Sequence, residues 1–163
     1  MTTPIPLEHI KRDLARAGLR SRSLLCQEDL DQLPAMKGAY ALIVQLEHEA
    51  PLDRLRTAPG ALSTGPLKPG WYVYAGSARG PGGIPARLTR HFRVDKPVHW
   101  HIDQLTSLSG VQIWASPAAG QHECDLVTKL IRSGLFDIAC PGFGSSDCRK
   151  CEGHLLVWRP ERP

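Results

Sequence analysis

Glu123 is the residue whose position in the sequence points most clearly to chemistry. It stands at the start of a predicted amphipathic helix over about 122–133, and Leu126, Val127, Leu130 and Ile131 fall within about 80° of it at about 100° per residue. Burying an unpaired carboxylate is costly, so this position predicts a cation or strong hydrogen-bond donors nearby. The residue is either a metal ligand or a helix-start glutamate favoured by the helix dipole.

Arg87 and His91 form a second pair with chemically useful spacing. They stand four residues apart on a helix predicted to begin near Pro85, and they stack along the border of its apolar stripe. An arginine there can hold a phosphate through its fork of donors, and a histidine can accept or relay a proton near neutral pH. Alternatively, this is a basic surface helix with one capped histidine.

A basic strip surrounds this pair. Arg79, Arg90, Arg93 and Lys96 accompany Arg87 between residues 79 and 96, a stretch with a single acidic residue. Arg90 and Arg93 are predicted to point outward, where they would suit backbone phosphates. The strip is a candidate nucleic-acid-binding surface, although many charge runs are only solvated faces.

The segment HWHID follows the strip and adds two histidines. On an extended chain His99 and His101 share a face, with Asp103 two residues further on, which makes them candidates for binding phosphate or a second metal. The alternative is that they cap the following helix, with Trp100 as its hydrophobic anchor.

Two tyrosines stand close to glycines in predicted strands. Tyr40 follows Gly38 at the start of one strand, and Tyr74 precedes Gly76 at the end of another. Glycine in a strand indicates a place where another group approaches the backbone closely, so Tyr40 and Tyr74 are site candidates. Tyr72 is expected to be a packing residue.

The cysteines suggest a site for a soft metal. Three of the five crowd into the last quarter of the chain, which argues against a disulfide framework. Cys148-x-x-Cys151-x-x-His154, with Cys140 upstream, offers the thiolates and imidazole that tetrahedral Zn²⁺ prefers. A structural zinc is one hypothesis, and buried or surface thiols without metal are the other.

An α+β fold must position these residues. A helical extension is predicted within 1–36, where Leu7, Ile10 and Leu14 repeat at helical spacing and Gly18 ends the helix, and it should pack on a domain over 37–159. After residue 134 the chain is expected to be loop-like up to the last strand. Within the domain the pattern predicts a surface connection over 47–70, helices from about 85, 101 and 122, and strands at 40–46, 71–75, 111–115 and 155–158. The result is a small antiparallel or mixed sheet with helices packed on it.

Composition places the chain among ordinary globular domains. Its 163 residues are 42% apolar and 22% charged, with a modest net charge of +4. The longest apolar run, 39–44, is too short to cross a bilayer, and no signal-peptide pattern is present at the start. We therefore expect a soluble, cytoplasmic protein that does not enter a membrane.

The motifs together resemble the GIY-YIG nuclease superfamily. Their order is Gly38-Ala39-Tyr40, then Tyr74-Ala75-Gly76, then Arg87 with His91, then Glu123 on a following helix. More narrowly, the segments GWYVYAGSARGPGG, ARLTRH, HWHID, EC and FGSSDC with its following C and HL resemble an uncharacterised branch, members of which are fused to endonuclease III in some archaea. The resemblance covers about 38–158, and that association suggests a role in DNA repair.

The resemblance implies a three-stranded antiparallel sheet flanked by helices, and hydrolysis of DNA phosphodiester bonds with one divalent metal. Glu123 would hold Mg²⁺ or Mn²⁺, hard ions that prefer oxygen. Tyr40 would act as, or position, the general base, with Tyr74 and His91 in its hydrogen-bond network. Arg87 would stabilise the pentacovalent phosphate, and the metal would act from the leaving-group side.

The chain departs from the superfamily pattern at two points. Superfamily sites commonly have an asparagine late in the domain, whereas this chain contains none, so that role is absent or taken by the 143–154 segment. Ala39 and Ala75 replace the isoleucines of the two name motifs, which is a packing change. The leading hypothesis is a metal-dependent DNA endonuclease. The alternatives are a nucleic-acid-binding module with weak or no cutting, and a zinc-stabilised interaction domain.

Overall fold

The computed structural model describes residues 7–19, 24–52, 65–145 and 147–160, and in it helices pack on both faces of a sheet. The strands are β1 (Gly38–Leu46), β2 (Gly70–Ala78), β3 (Gln112–Ala119), β4 (Phe136–Ile138) and β5 (Leu155–Trp158). The helices are α1 (Leu7–Arg16), α2 (Gly83–Phe92), α3 (Asp103–Thr106) and α4 (Glu123–Arg132), with a 3-10 helix at Gln27–Gln32. None of these described helices has both the length and the apolar character needed to cross a bilayer.

The sheet has five strands in the order β3-β1-β2-β5-β4, and all neighbouring strands are antiparallel. The α+β class is confirmed, but the sheet has five strands instead of the three that the resemblance implied. The extra strand that the sequence did not reveal is β4, which lies in the segment predicted to be a loop. With three residues it is too short for apolar alternation to appear in the sequence.

β1 is buried on both faces and divides the core into two layers. Tyr40, Leu42 and Val44 belong to the layer that contains the apolar residues of α2 and α3. The alternate residues, such as Ala41 and Ile43, belong to the layer formed with α1 and α4. Side chains alternate across a strand, so one continuous apolar run supplies both layers.

The predicted N-terminal helix is present and packs on the sheet. Ile10 and Leu14 of α1 are buried in the second layer, and Gly18 follows the helix with a φ of 95°. Asp13 accepts a hydrogen bond of 3.1 Å from the indole Nε1 of Trp158 in β5. The division of the chain at residues 36 and 37 stays a prediction.

Part of the predicted surface connection over 47–70, residues 53–64, lies outside the described residues. The two described ends are joined, because Ala50 N donates to Leu67 O at 2.9 Å and Leu67 N donates to Ala50 O at 2.8 Å. Ala50, Leu52 and Leu67 are all buried in the first layer. The other described residues of these ends, such as residues 47–49 and Lys68, are exposed, so the ends run along the surface and are anchored to the core by these three side chains.

Two glycines allow tyrosine rings to lie against the backbone. Tyr40 and Gly76 are direct partners across β1 and β2, and a Cβ built on Gly76 would lie 2.3 Å from Cζ of Tyr40. Gly144 has a φ of +67°, and a Cβ there would lie 2.7 Å from Cε2 of Tyr74. The close approach predicted at Gly76 is confirmed, and the approaching group is the Tyr40 ring.

We predict that Gly76→Ala lowers the free energy of unfolding by about 1–3 kcal/mol, the usual cost of overpacking a well-filled core. The Tyr40 ring is buried against the glycine and has to move to admit a methyl group. Urea denaturation of the purified proteins measures the change.

Gly80→Ala is the matched control, because a Cβ there would meet its nearest atom, a guanidinium nitrogen of Arg87, at 4.0 Å. It should change stability by less than about 0.5 kcal/mol. Equal losses in the two variants would contradict the role given to the Tyr40 contact.

Candidate functional site

A cleft of about 500 Å³ lies between β1, β2, α2, the first turn of α4 and the segment 144–154. Tyr40, Tyr74, Arg87 and Glu123 line it. His91 is directly behind Tyr40 and touches its hydroxyl. The structure thus brings together the five residues that the sequence predicted to be catalytic, although they come from four separate elements.

His91 fixes Tyr40 from behind. Its Nε2 lies 2.7 Å from Oη of Tyr40, and the imidazole is fully buried beside the rings of Tyr40, Tyr74 and Trp100. Burial lowers the pKa of His91 to about 3, so the ring is neutral at physiological pH. The sequence placed His91 at the border of the apolar stripe, whereas it lies inside the core.

Burial has the opposite effect on the two tyrosines. It raises the pKa of Tyr40 well above its usual value and that of Tyr74 to about 12. The positive charge of Arg87 lowers both pKa values but does not offset burial. Both phenols are therefore protonated at neutral pH. The Tyr40 hydroxyl is paired with Nε2 of His91, and the Tyr74 hydroxyl can donate a hydrogen bond into the cleft.

Trp100 supports the guanidinium of Arg87 at the cleft. Cζ of Arg87 lies 4.3 Å from the centroid of the Trp100 ring, and Cζ of Arg90 lies 4.2 Å from it. Trp100 also lines the cleft, and its stacking with the two guanidinium groups was not predicted from the sequence. Little in the sequence indicated this stacking, because two arginines three residues apart near an aromatic residue do not specify it.

Arg90 points inward, contrary to prediction. Its guanidinium forms two hydrogen bonds, of 2.6 and 2.9 Å, with the carboxylate of Asp103, which is 0% exposed. The same carboxylate accepts hydrogen bonds of 2.9 Å from the backbone of His99 and of Trp100. Burial raises the pKa of Asp103, but these bonds outweigh it and the pKa is lowered. Arg90 therefore fixes the 97–103 turn and is not a free phosphate-binding group.

His99 and His101 do not form the shared face predicted for them. His99 is exposed, whereas Nδ1 of His101 accepts a hydrogen bond of 2.7 Å from the backbone of Gly144. The chain turns at this point because the Asp103 carboxylate binds the backbone of the preceding residues, and the prediction assumed an extended chain. His101 instead attaches the segment around Phe143 and Gly144 to the rest of the site.

The remaining basic residues of the predicted strip lie apart from the cleft lining. Arg79 and Arg93 are exposed. The amino group of Lys96 donates to the backbone carbonyls of His91, at 3.1 Å, and of Arg93, and so caps the C-terminus of α2. This arrangement assigns Lys96 a structural contact that the charge pattern alone did not indicate.

Two basic residues that the sequence analysis missed do line the cleft. Arg149 and Lys150 are exposed there. They come from the segment between the two cysteines of the Cys-x-x-Cys motif. Basic residues in that position are easily taken for solvated loop charges, so the sequence offered no specific signal.

Glu123 occupies the first position of α4, with its side chain 16% exposed. Leu126, Val127 and Leu130 pack on the sheet as predicted, whereas Ile131 is 44% exposed and lies outside the buried stripe. Oε2 of Glu123 is buried and has no hydrogen-bond partner among the described residues. The predicted mismatch between a carboxylate and its apolar surroundings is therefore present.

His122 caps the N-terminus of α4 and lies close to the carboxylate of Glu123. Its Nδ1 accepts a hydrogen bond of 3.2 Å from the backbone N of Cys124 and lies 3.5 Å from Oε2 of Glu123. A ring nitrogen that accepts a hydrogen bond carries no proton, so it cannot also pair with the carboxylate as a cation. We take the cap as the real interaction, since it satisfies a free N–H at the helix start. His122 therefore leaves the buried oxygen of Glu123 without a hydrogen-bond donor.

A second group of potential ligands lies beside Glu123. Cys124, Cys148, Cys151 and His154 place their ligand atoms within 4.8 Å of one another, and this Cys₃His cluster could hold a metal such as zinc. Cys140, which the sequence analysis placed in this group, lies outside the cluster: it is fully buried, and its Sγ lies 3.9 Å from the next carbonyl oxygen. The cluster member that the sequence analysis missed is Cys124, 24 residues before Cys148.

The backbone around Cys148 is arranged to accept a thiolate. The N–H groups of Lys150 and Cys151 donate to Sγ of Cys148 at 3.4 and 3.3 Å. Burial raises the pKa of Cys148, but these hydrogen bonds outweigh it and the pKa is lowered.

A family model described as "Domain of unknown function DUF123" matches residues 39–162, and the chain belongs to this family. The match begins within β1 and covers the residues that line the cleft. Comparison with curated proteins and with solved structures gives no match.

We predict that His91 makes folding stability depend on pH. The folded pKa of about 3 lies below the ordinary value of 6.5, so between these values the unfolded chain binds a proton that the folded chain does not. Stability should therefore fall as the pH falls below 6.5, with a contribution approaching about 1.4 kcal/mol per pH unit. Chemical denaturation from pH 7 to pH 4 measures this slope.

His91→Gln should flatten the slope, because glutamine can still bond to Tyr40 but does not titrate. His9→Gln removes an exposed imidazole from α1 and is the control, which should keep the wild-type slope. An unchanged slope in His91→Gln would contradict the neutral, buried state of His91.

Proposed function

We propose that this protein is a metal-dependent endonuclease that hydrolyses DNA phosphodiester bonds. The observation that carries the proposal is the pairing, in one cleft, of the mostly buried Glu123 carboxylate with the Arg87 guanidinium. A phosphodiester needs both a cation-binding carboxylate and a fixed positive charge for its transition state. The resemblance to the GIY-YIG superfamily supports the same conclusion for the same residues.

The residues present fit a hard divalent cation at Glu123. Oε2 of this carboxylate is buried and meets no hydrogen-bond donor in residues 7–19, 24–52, 65–145 and 147–160. Carboxylate oxygen is the ligand that Mg²⁺ and Mn²⁺ prefer, whereas the neighbouring thiols suit a softer ion such as Zn²⁺. When bound, the hard cation would neutralise charge on the phosphate and on the leaving oxygen.

Arg87 supplies the positive charge that the protein itself contributes. The guanidinium lies over Trp100, which limits its freedom without using its N–H donors. These donors stay available for two phosphate oxygens at once. Arg149 and Lys150, which also line the cleft, would hold the flanking backbone phosphates.

Tyr40 would position the attacking water. Its hydroxyl is fixed by Nε2 of His91, and its ring is fixed by Gly76, so Oη has little freedom. Burial keeps the phenol protonated in the free protein, and the charge of Arg87 acts in the opposite direction. We therefore assign Tyr40 to orienting the water, with His91 as the hydrogen-bond partner that fixes the Tyr40 hydroxyl and Tyr74 as the neighbour of Tyr40 in the cleft.

The absent asparagine favours a second candidate function, a nucleic-acid-binding module of the same fold that cuts weakly or not at all. In the 143–154 segment the polar side chains that line the cleft are Asp147, Cys148, Arg149, Lys150 and His154. Basic residues there bind phosphate in either function, so binding alone does not separate the two candidates.

The test is cleavage of labelled duplex, single-stranded, flapped and junction DNA with Mg²⁺ or Mn²⁺. We expect wild-type protein to cut at least one substrate only when the metal is present. Glu123→Gln and Arg87→Ala should each lower the rate by about 100- to 1000-fold, the typical cost of removing one group that stabilises a transition state.

Asp125→Asn is the matched control for Glu123→Gln. It removes one negative charge from the same helical turn, but at an exposed position, so both variants lose the same interaction with the helix dipole. Arg93→Ala controls for Arg87→Ala in the same way, as an exposed arginine just after α2. No cutting of any substrate by the wild type, with DNA binding retained, would reject the nuclease and favour the binding module.

A further inference from the structure

Cys124, Cys148, Cys151 and His154 form a cluster whose dimensions match a tetrahedral metal site. Sγ of Cys124 lies 3.5 Å from Sγ of Cys148, and all four ligand atoms lie within 4.8 Å of one another. A tetrahedron with zinc–sulfur bonds of about 2.3 Å has sulfur–sulfur edges of about 3.7 Å. The side chains therefore need to move only slightly to surround one ion.

His154 gives independent evidence that the cluster is incomplete without a ligand. The residue is 4% exposed, and its Nε2 is buried with no hydrogen-bond partner in the part of the chain that the structure describes. A buried ring nitrogen without a partner is unfavourable, and metal coordination is the usual way to satisfy one that faces thiols. The N–H groups that donate to Sγ of Cys148 would likewise stabilise a metal-bound thiolate.

We propose that these four residues bind one Zn²⁺ ion, which joins the 140–154 segment to the first turn of α4. Three soft thiolates and one imidazole suit Zn²⁺, whereas Mg²⁺ and Mn²⁺ prefer oxygen ligands. A site with four protein ligands leaves no open position, so this zinc is structural. The proposal rests on the cluster alone and holds whether or not the protein cuts DNA.

The zinc site would set the geometry of the cleft from one side. Cys124 directly follows Glu123, so fixing its thiolate fixes the start of α4. Cys148 and Cys151 flank Arg149 and Lys150, which line the cleft. Loss of the ion would therefore loosen the wall that carries these basic residues, together with the capped end of α4.

A disulfide between Cys124 and Cys148 is the main alternative for the close sulfur pair. A disulfide uses two thiols and leaves Cys151 and His154 without a function, and it requires a sulfur–sulfur distance of about 2.0 Å. The zinc site uses all four groups at their present spacing. Metal content and the state of the thiols distinguish the two directly.

The experiment measures zinc per chain in the full-length protein, purified under reducing conditions, washed with a mild chelator and analysed by elemental mass spectrometry. We expect about one zinc per chain in the wild type. Replacement by Co²⁺ should give the visible bands of tetrahedral cobalt with thiolate charge transfer. This spectrum tests the wild type itself, so the test does not depend on whether any variant folds.

Cys124→Ser and Cys140→Ser form a matched pair of changes at two buried cysteines. Cys124→Ser should weaken zinc binding by at least about 100-fold. Losing a group that only hydrogen-bonds to a metal ligand already costs up to about 100-fold, and Cys124 would be a ligand itself. Cys140→Ser, and Cys26→Ser at a third cysteine remote from the cluster, should keep one zinc per chain.

Zinc well below one per chain in the wild type, or cobalt without tetrahedral thiolate bands, would overturn the proposal. Zinc retained in Cys124→Ser but lost in Cys140→Ser would overturn this ligand set. A Cys124–Cys148 disulfide in metal-free protein isolated without added reductant, with no zinc bound after reduction and addition of Zn²⁺, would also overturn it. Failure of DNA cleavage with zinc present would reject the nuclease and leave the zinc site intact.

Discussion

The first turn of α4 places the Glu123 carboxylate and the Cys124 thiol on successive residues, so one helix end fixes the positions of both groups in the cleft. Glu123 keeps a buried oxygen that meets no hydrogen-bond donor among the residues that the structure describes, a state that costs about 1–3 kcal/mol or more for a charged group. His122 cannot relieve it, because its Nδ1 already caps the helix. Cys124 instead contacts Cys148 of the C-terminal segment. The two cations proposed above would complete this arrangement.

Contacts between distant segments hold other parts of the cleft together. Asp103 binds the guanidinium of Arg90 and so ties the 97–103 turn to α2. His101 in that turn binds the backbone of Gly144, and Gly144 lies against the ring of Tyr74. The walls of the cleft are therefore coupled through buried polar groups, and each of these groups costs stability if its partner is removed.

The sequence predicted the parts of the molecule whose patterns are long and periodic. β1, β2 and α4 follow from alternation or helical spacing, and Glu123 was recognisable as a charge in an apolar stripe. Patterns within one segment could not predict contacts between segments, which is why Cys124 was missed and Cys140 was chosen. Arg90 was expected to face solvent because helical spacing gives a direction but does not reveal a buried carboxylate such as Asp103. β4 was missed because three residues are too few to show a period.

Two chemically different cation sites are proposed side by side, an oxygen site at Glu123 and a sulfur and nitrogen site at the Cys₃His cluster. Anomalous X-ray scattering from crystals grown with Mn²⁺ and zinc, recorded above and below the zinc absorption edge, locates each ion separately. We predict a manganese peak at the Glu123 carboxylate and a zinc peak within about 2.3 Å of the three cysteine sulfurs. Manganese absent from Glu123, or a single ion shared by Glu123 and Cys124, would contradict the account.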